Sequence, residues 1–275
     1  MADAARPYLA MLGARFRMLL QYRAAAFAGF STQLFWGAIK LMILAAFLAA
    51  NHHASPMSLP QLAAYVWLGQ ALLGMLPWNV DTELQEKLMS GAVAYELLRP
   101  VDLYAFWYAR TVALRTATTF MRMIPMIIFA GVLLPVFGLG AWALPPPASV
   151  AGALCFLVSL TVAVALASAI TMLMHVALIW TLSGRGFNTV MVGVVIVFSG
   201  LTIPLPLFPD WLQPLLYWQP FRGVADVPYR IYGGNIDPQA AVLEIVQQMV
   251  WAALIIAAGY ALMARGKSRV VVQGG

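Results

Sequence analysis

Residues 149–180 read SVAGALCFLVSLTVAVALASAITMLMHVALIW, a run that contains no Asp, Glu, Lys or Arg. A helix of about 20 apolar residues is long enough to cross the hydrocarbon core of a bilayer. Because lipid offers no hydrogen bonds, a spanning segment must satisfy its own backbone polar groups, as a helix does. The run therefore predicts a membrane-spanning α-helix.

The composition of the whole chain agrees with this interpretation. Of the 275 residues, 63% are hydrophobic and 9% are charged, and the mean hydropathy is +0.84. Soluble domains carry about 25% charged residues, so this chain has too few to cover a surface that faces water. We expect an all-α integral membrane protein without a soluble domain that folds by itself.

Further apolar runs flank residues 149–180 on both sides, and the first of them holds one charge, Lys40. We expect six transmembrane helices, at residues 27–50, 61–78, 116–139, 149–180, 187–203 and 242–263. Together they form one transmembrane domain over residues 1–275. The predicted parts of this domain are an N-terminal helix at 1–26, a six-span bundle at 27–264 and a basic tail at 265–275.

Two segments outside the runs have a character of their own. In residues 6–23, apolar side chains such as Tyr8 and Phe16 recur at helical spacing among arginines, which predicts an amphipathic helix on the membrane surface. The alternative is a solvated helix. Residues 204–238 are rich in proline and aromatic side chains, and we expect short helices in the outer leaflet there.

The distribution of Lys and Arg predicts the topology, because cytoplasmic loops carry an excess of both. With the N-terminus inside, the external segments hold only Arg222 and Arg230, while the cytoplasmic segments hold most of the others. An even number of spans agrees with this count. We therefore expect both termini on the cytoplasmic side.

The sequence contains no motif that predicts catalysis or a metal site. The patterns G-x-S-x-G, H-E-x-x-H and C-x-x-C are absent. Gly266-Lys-Ser268 resembles the end of a phosphate-binding loop, but the first glycine that the loop requires is Ala261. The three histidines lack a ligand set, and Cys155 is expected to be a buried thiol. We expect no catalytic residue, no metal, no cofactor bound by this chain and no nucleic acid.

Polar residues inside the predicted spans are more informative. Lys40 follows Gln33 by seven residues on one helical face. A charge at the bilayer centre costs at least about 2.5 kcal/mol, so Lys40 must face protein or water. Either it borders a water-accessible cavity or it has an internal partner, for example Glu244 or a second subunit. Arg122 is interpreted as reaching toward the cytoplasmic interface.

Carboxylates are absent from the middle of every predicted span. Proton-driven transporters often use an intramembrane Asp or Glu relay. The sequence therefore disfavours a proton-coupled transporter, and the energy for any transport must come from elsewhere.

Two further stretches carry a family resemblance, together with the basic N-terminal helix. Residues 83–100 read ELQEKLMSGAVAYELLRP after predicted span two. Residues 198–212 read FSGLTIPLPLFPDWL after predicted span five and continue to Gln219-Pro-Phe221. In this order the chain resembles an ABC-2 type export permease, the six-span membrane subunit of an ATP-driven exporter. The Leu-Leu-Arg-Pro version resembles permeases that work beside a second, different permease and a separate ATPase.

The resemblance implies a bacterial cytoplasmic (inner) membrane protein with ABC ATPase subunits as partners, which bind the ATP and Mg²⁺. It also implies membrane lipid and a second permease as partners, in a homodimer or, as favoured here, a heterodimer. Force would enter through a cytoplasmic coupling helix, whose alternative is a solvated loop. Its expected residues are Asp81, Glu83, Glu86, Lys87, Gly91, Glu96 and Arg99.

By the same resemblance, spans one, two and five line the path of a hydrophobic or amphipathic substrate, and Lys40 would attract an anionic group. The expected wall residues are Gln33, Trp36, Lys40, Trp67 and Gln70. The alternatives from other classes are a membrane-embedded enzyme that modifies lipids and an accessory scaffold subunit.

Overall fold

The computed structural model describes residues 2–21, 23–50, 55–181 and 184–266, and all regular structure in these ranges is helical. Four helical segments are long and apolar enough to cross a membrane: Phe27–Ala50, Leu103–Val136, Val150–Thr181 and Pro238–Gly266. The predicted all-α class is thus confirmed, with four candidate spans among the described residues.

The helices follow one another in a simple order. Their bounds are α1 Ala2–Leu19, α2 Arg23–Ala50, α3 Leu59–Ala71, α4 Thr82–Met89, α5 Ala94–Leu97, α6 Leu103–Ile128, α7 Leu134–Val136, α8 Val150–Thr181, α9 Gly184–Phe198, α10 Gln213–Trp218, α11 Asp226–Tyr232 and α12 Pro238–Gly266. A π-helical segment, Phe129–Leu133, joins α6 to α7. It follows Pro125, which has no backbone N–H to donate within α6.

Two predicted spans are shorter in the structure than in the sequence interpretation. Helix α3 has 13 residues, which is about 20 Å at 1.5 Å per residue, against a hydrocarbon core of about 30 Å. Helix α9 ends at Phe198, and Gly200 then turns the chain with φ +81°. The six-span count therefore stays a prediction.

Helix α1 packs extensively along the first half of α6. The backbone N–H of Asp102 donates to the Tyr8 hydroxyl at 3.1 Å, and the rings of Phe16 and Phe120 lie 6.4 Å apart. The two helices therefore run in the same direction side by side. The membrane-surface position expected for residues 6–23 stays a prediction.

Helix α12 packs against the bundle, and its most extensive contact is with α8. There the buried Ser159 hydroxyl donates to Gln248 Oε1 at 2.9 Å. At the opposite end from α4, the short helix α11 packs against α3 and α8. Its first residue, Asp226, is fully buried and accepts a hydrogen bond from the Tyr65 hydroxyl at 2.9 Å.

Gly200 provides a test of this arrangement. A Cβ at this position would meet the Tyr65 hydroxyl at 2.2 Å, and a φ of +81° is strained for other residues. We expect Gly200→Ala to lower the free energy of unfolding by about 1–3 kcal/mol, measured as the thermal midpoint of the purified protein in detergent. Gly193→Ala is the control, because a Cβ there meets nothing within 4 Å. An unchanged midpoint for Gly200→Ala would contradict the turn.

Candidate functional site

Asp81 joins four helices at one end of the bundle. Asp81 caps the N-terminus of α4 and is 4% exposed. Its Oδ2 accepts from Arg110 Nε of α6 at 2.8 Å and from Arg15 Nη2 of α1 at 3.0 Å. Its backbone N–H donates to Nε2 of His175 on α8 at 2.9 Å. The carboxylate and the backbone of one residue thus tie α4 to α1, α6 and α8.

Further ion pairs extend from Asp81 along α4. Glu83 pairs with Arg15 and with Arg110, the latter at 2.8 Å, and with Lys87 at 3.1 Å. Lys87 also pairs with Glu96 of α5 at 2.9 Å. We call these six residues the charged cluster: Arg15, Asp81, Glu83, Lys87, Glu96 and Arg110.

The pKa values of the two acids at the start of α4 reflect these contacts. The hydrogen bond from Arg110 is the main cause that lowers the pKa of Glu83 from 4.5 to about 2, with help from Lys87 and Arg15. Burial alone would raise the pKa of Asp81. The hydrogen bond and charge of Arg110, together with the charge of Arg15, outweigh this and hold the pKa below its ordinary value. Both side chains are therefore ionised at neutral pH.

Arg115 holds the linker between α3 and α4, residues 72–80. It is 2% exposed and donates to the Leu76 carbonyl at 2.8 Å and to Asn79 Oδ1 at 3.0 Å. Its Nε donates to the Thr171 hydroxyl of α8 at 3.1 Å. Apart from a short 3₁₀ helix, Leu73–Met75, the linker has no regular structure. One side chain, Arg115, satisfies its Leu76 and Asn79 carbonyls, as a largely buried segment outside an α-helix requires.

A cavity of about 640 Å³ lies between α2, α3, the linker and the end of α9. Gln33, Lys40 and Gln70 supply polar groups in its wall. The other lining residues include Trp36, Ile39, Ile43, Leu73, Trp78, Ile196 and Leu201. We call this space the α2–α9 cavity. It is predominantly apolar, and no Asp or Glu is among the described residues that line it.

Comparison with known families decides the class of the protein. A family model described as "ABC-2 family transporter protein" matches residues 34–274. The chain belongs to this family. Among curated proteins, the comparison found no match. The chain is therefore a transmembrane transporter subunit and a multi-pass membrane protein, in a family whose membrane subunits generally do not catalyse a reaction and associate with ABC ATPase subunits.

In this ABC-2 transporter, the charged residues predicted for coupling divide into three groups by exposure, and Glu83 and Lys87 form the partly exposed one, with side chains 42% and 31% exposed. Asp81 and Glu96 are buried, and Glu96 also accepts from Trp107 Nε1 at 2.7 Å, so their side chains bind within the chain. Glu86 and Arg99 are exposed. Gly91 has φ +75° just after the end of α4.

The predicted path residues are largely brought together, with one exception. Gln33, Trp36, Lys40 and Gln70 line the α2–α9 cavity. Trp67 does not line it. Its ring is 2% exposed, and its Nε1 donates to the Trp142 carbonyl at 2.7 Å.

The suggested pairing of Lys40 with Glu244 is wrong. Lys40 donates to the backbone carbonyl of Leu201, and Glu244 pairs with Arg222 at 3.0 Å. The guanidinium of Arg122 lies against Gly29 of α2, where a Cβ would meet its Cζ at 2.9 Å.

Among the described residues, no group of three or more His, Cys, Asp or Glu side chains is arranged so that it could hold a metal ion. His52, His53 and Lys267 lie outside the described residues.

Sequence reasoning missed the roles of Arg15, Arg110 and His175. Arg15 and Arg110 lie outside the predicted spans and carried no signal of their roles, whereas His175 stood out as a polar residue within the apolar run at 149–180.

Removing the Asp81 carboxylate should leave two buried guanidinium groups short of a partner. We expect Asp81→Ala to lower the free energy of unfolding by about 3 kcal/mol or more, seen as a lower thermal midpoint in detergent. Glu86→Ala, an exposed acid on the same helix, should leave the midpoint within about 0.5 kcal/mol of the parent. Equal effects of the two substitutions would contradict the central position of Asp81.

The lowered pKa values predict acid sensitivity. A carboxylate with a lowered folded pKa contributes stability that is present above its unfolded pKa and lost as pH falls toward the folded one. For Glu83 this window runs from about 4.5 down to about 2. We expect the thermal midpoint to fall across it, less steeply in Glu83→Gln. Glu86→Gln is the control, and its thermal midpoint should fall with pH as the parent's does. The same pH dependence in Glu83→Gln as in the parent would refute a contribution of Glu83 to the acid sensitivity.

Proposed function

We propose that this chain is the permease subunit of an ATP-driven ABC-2 type exporter that moves a hydrophobic or amphipathic substrate outward. A separate ATPase subunit binds ATP and Mg²⁺, and this chain is not itself an enzyme. One observation carries the proposal: the linker at residues 72–80 touches both candidate regions. Leu73 and Trp78 line the α2–α9 cavity, and the linker leads directly to Asp81 at the start of α4.

In this proposal α4 and α5 form the cytoplasmic coupling element. A force applied to α4 passes through Asp81 to Arg15 and Arg110, and so to α1 and α6. The bond from the Asp81 backbone to His175 carries it to α8. Because these contacts are buried ion pairs and hydrogen bonds, breaking them costs several kcal/mol. The element therefore moves with the helices it touches.

The exposed surface of α4 and α5 supplies the contact with the ATPase. Glu86 and Arg99 are the predicted coupling residues that face outward. Beside them stand three exposed apolar side chains, Met89 at 60%, Tyr95 at 75% and Leu98 at 81% exposure. The buried members of the charged cluster hold the element in place instead of contacting the partner.

For the membrane arrangement, we propose the one expected from the sequence. We count α3 and α9 as spans two and five of six, with the amphipathic α1 at the membrane surface and both termini in the cytoplasm of a bacterial cell. The short helices between α9 and α12 lie in the outer leaflet. Phe35 and Ile43 of α2 and Val190 of α9 are more than 60% exposed. These faces suit lipid and a second permease, either a copy of this chain or, as favoured, a different one.

The experiment is a mild-detergent pull-down of the tagged chain from its native membrane, with the ATPase measured by mass spectrometry. We expect a Walker-motif ATPase in the parent sample, and a loss of roughly tenfold in Leu98→Glu, because a charge at the centre of an apolar contact costs more than 1.4 kcal/mol. Trp211→Glu is the matched control. It also charges an exposed apolar side chain, 78% exposed, but at the α11 end.

Full recovery of the ATPase with Leu98→Glu would reject this docking surface. Absence of any ATPase from the parent sample would reject the exporter, and activity on membrane lipids would be measured next. A second six-span protein in equal amount would identify a heteromeric permease pair.

A further inference from the structure

The α2–α9 cavity contains a buried polar side chain that no neighbour satisfies. Gln33 is 4% exposed, and neither its Oε1 nor its Nε2 has a hydrogen-bond partner among the described residues. A buried polar group left unpaired costs about 1–3 kcal/mol. Gln33 is one of the residues that line the cavity, but both carboxamide atoms lie buried behind its surface, so a ligand there meets them only when the Gln33 side chain turns toward it.

Lys40 places a positive charge in the same wall. It lies two helical turns after Gln33 on α2, and its ammonium donates to the Leu201 carbonyl. An ammonium has three donors, so two remain for a ligand. In the part of the chain that the structure describes, no acidic side chain lines the cavity. The wall therefore attracts an anion and repels a cation.

The rest of the wall is apolar. Ile39, Ile43 and Leu73 lie among the tryptophans Trp36 and Trp78. A volume of about 640 Å³ falls in the range of ordinary ligand sites. Such a wall accepts an alkyl chain or a planar ring system, and Gln70 adds a polar side chain to the same wall as Lys40.

We propose that the α2–α9 cavity is a substrate site selective for amphipathic anions, molecules with one anionic head that pairs with Lys40 and an apolar body against the Ile and Trp side chains. This inference rests on the proposed exporter function and narrows its substrate class. Neutral amphiphiles bind more weakly at this site, and cationic ones are rejected.

Binding can be measured directly, without ATP, by the quenching of Trp36 and Trp78 fluorescence. The full chain in nanodiscs of zwitterionic lipid is titrated with three brominated probes of one chain length: an alkyl sulfate, the alcohol and the trimethylammonium salt. Subtracting the fluorescence of a Trp36→Phe, Trp78→Phe double variant removes the contribution of the other tryptophans. We expect the sulfate to bind roughly tenfold more tightly than the ammonium, which corresponds to about 1.4 kcal/mol.

Variants assign the preference to the cavity. Lys40→Met should abolish the difference between sulfate and ammonium while alcohol binding remains, and Lys40→Arg should keep it. Arg122→Met is the matched control, because it removes a positive charge from another span that does not line the cavity. It should leave the ranking unchanged. The order of affinities of the unaltered chain for the three probes tests the proposal even where Lys40→Met fails to fold.

Equal binding of all three probes would overturn the inference and mark the cavity as a groove for bilayer lipid. A preference for the ammonium, or no quenching of Trp36 and Trp78, would overturn it as well. ATPase recovery is scored separately, in the pull-down of the same chain from its native membrane. If the chain recovers its ATPase but shows no preference between the charged probes, only the proposed substrate class is rejected. If it shows the preference but recovers no ATPase, only the exporter function is rejected.

Discussion

The pairing of one buried carboxylate, Asp81, with two arginines is the interaction on which the rest of the structure depends. Two guanidinium groups inside an apolar bundle would each be expensive without a counter-ion. Asp81 supplies one to Arg15 and Arg110 while it caps α4. The position of α4 is thereby fixed relative to α1 and α6. The exposed apolar residues that follow α4 are held at one end of the bundle for the same reason.

A second constraint is the shortness of α3. It ends at Ala71, and after a short 3₁₀ helix, Leu73–Met75, the chain continues without regular structure as far as Asp81. Buried backbone outside an α-helix needs donors for its carbonyl groups, and Arg115 provides them at the carbonyls of Leu76 and Asn79. The same linker places Trp78 in the cavity wall. The same linker is therefore anchored by polar contacts with Arg115 and lines the apolar cavity.

The sequence predicts the helical class and the four long spans well, because a long apolar run has few other stable structures. It also identifies Gln33, Lys40 and Gln70 as polar residues that share a wall. It does not predict that α3 stops at Ala71, since residues 72–78 remain apolar and only the contacts of Arg115 reveal the break. It could not tell that Asp81 and Glu96 bind within the chain while Glu86 faces outward. All of them are acids in one charged stretch, and only tertiary contacts distinguish them.

These contacts also determine how the cavity can change shape. The linker wall is fixed to α6 and α8 through Arg115, so it moves with α4 as one body. The opposite wall includes the end of α9, which packs against α8 far less extensively than α12 does. The hydrogen bond from Lys40 to the Leu201 carbonyl joins α2 to this loosely held segment. A displacement of α4 therefore changes the distance between the linker and α9 more readily than it deforms either wall.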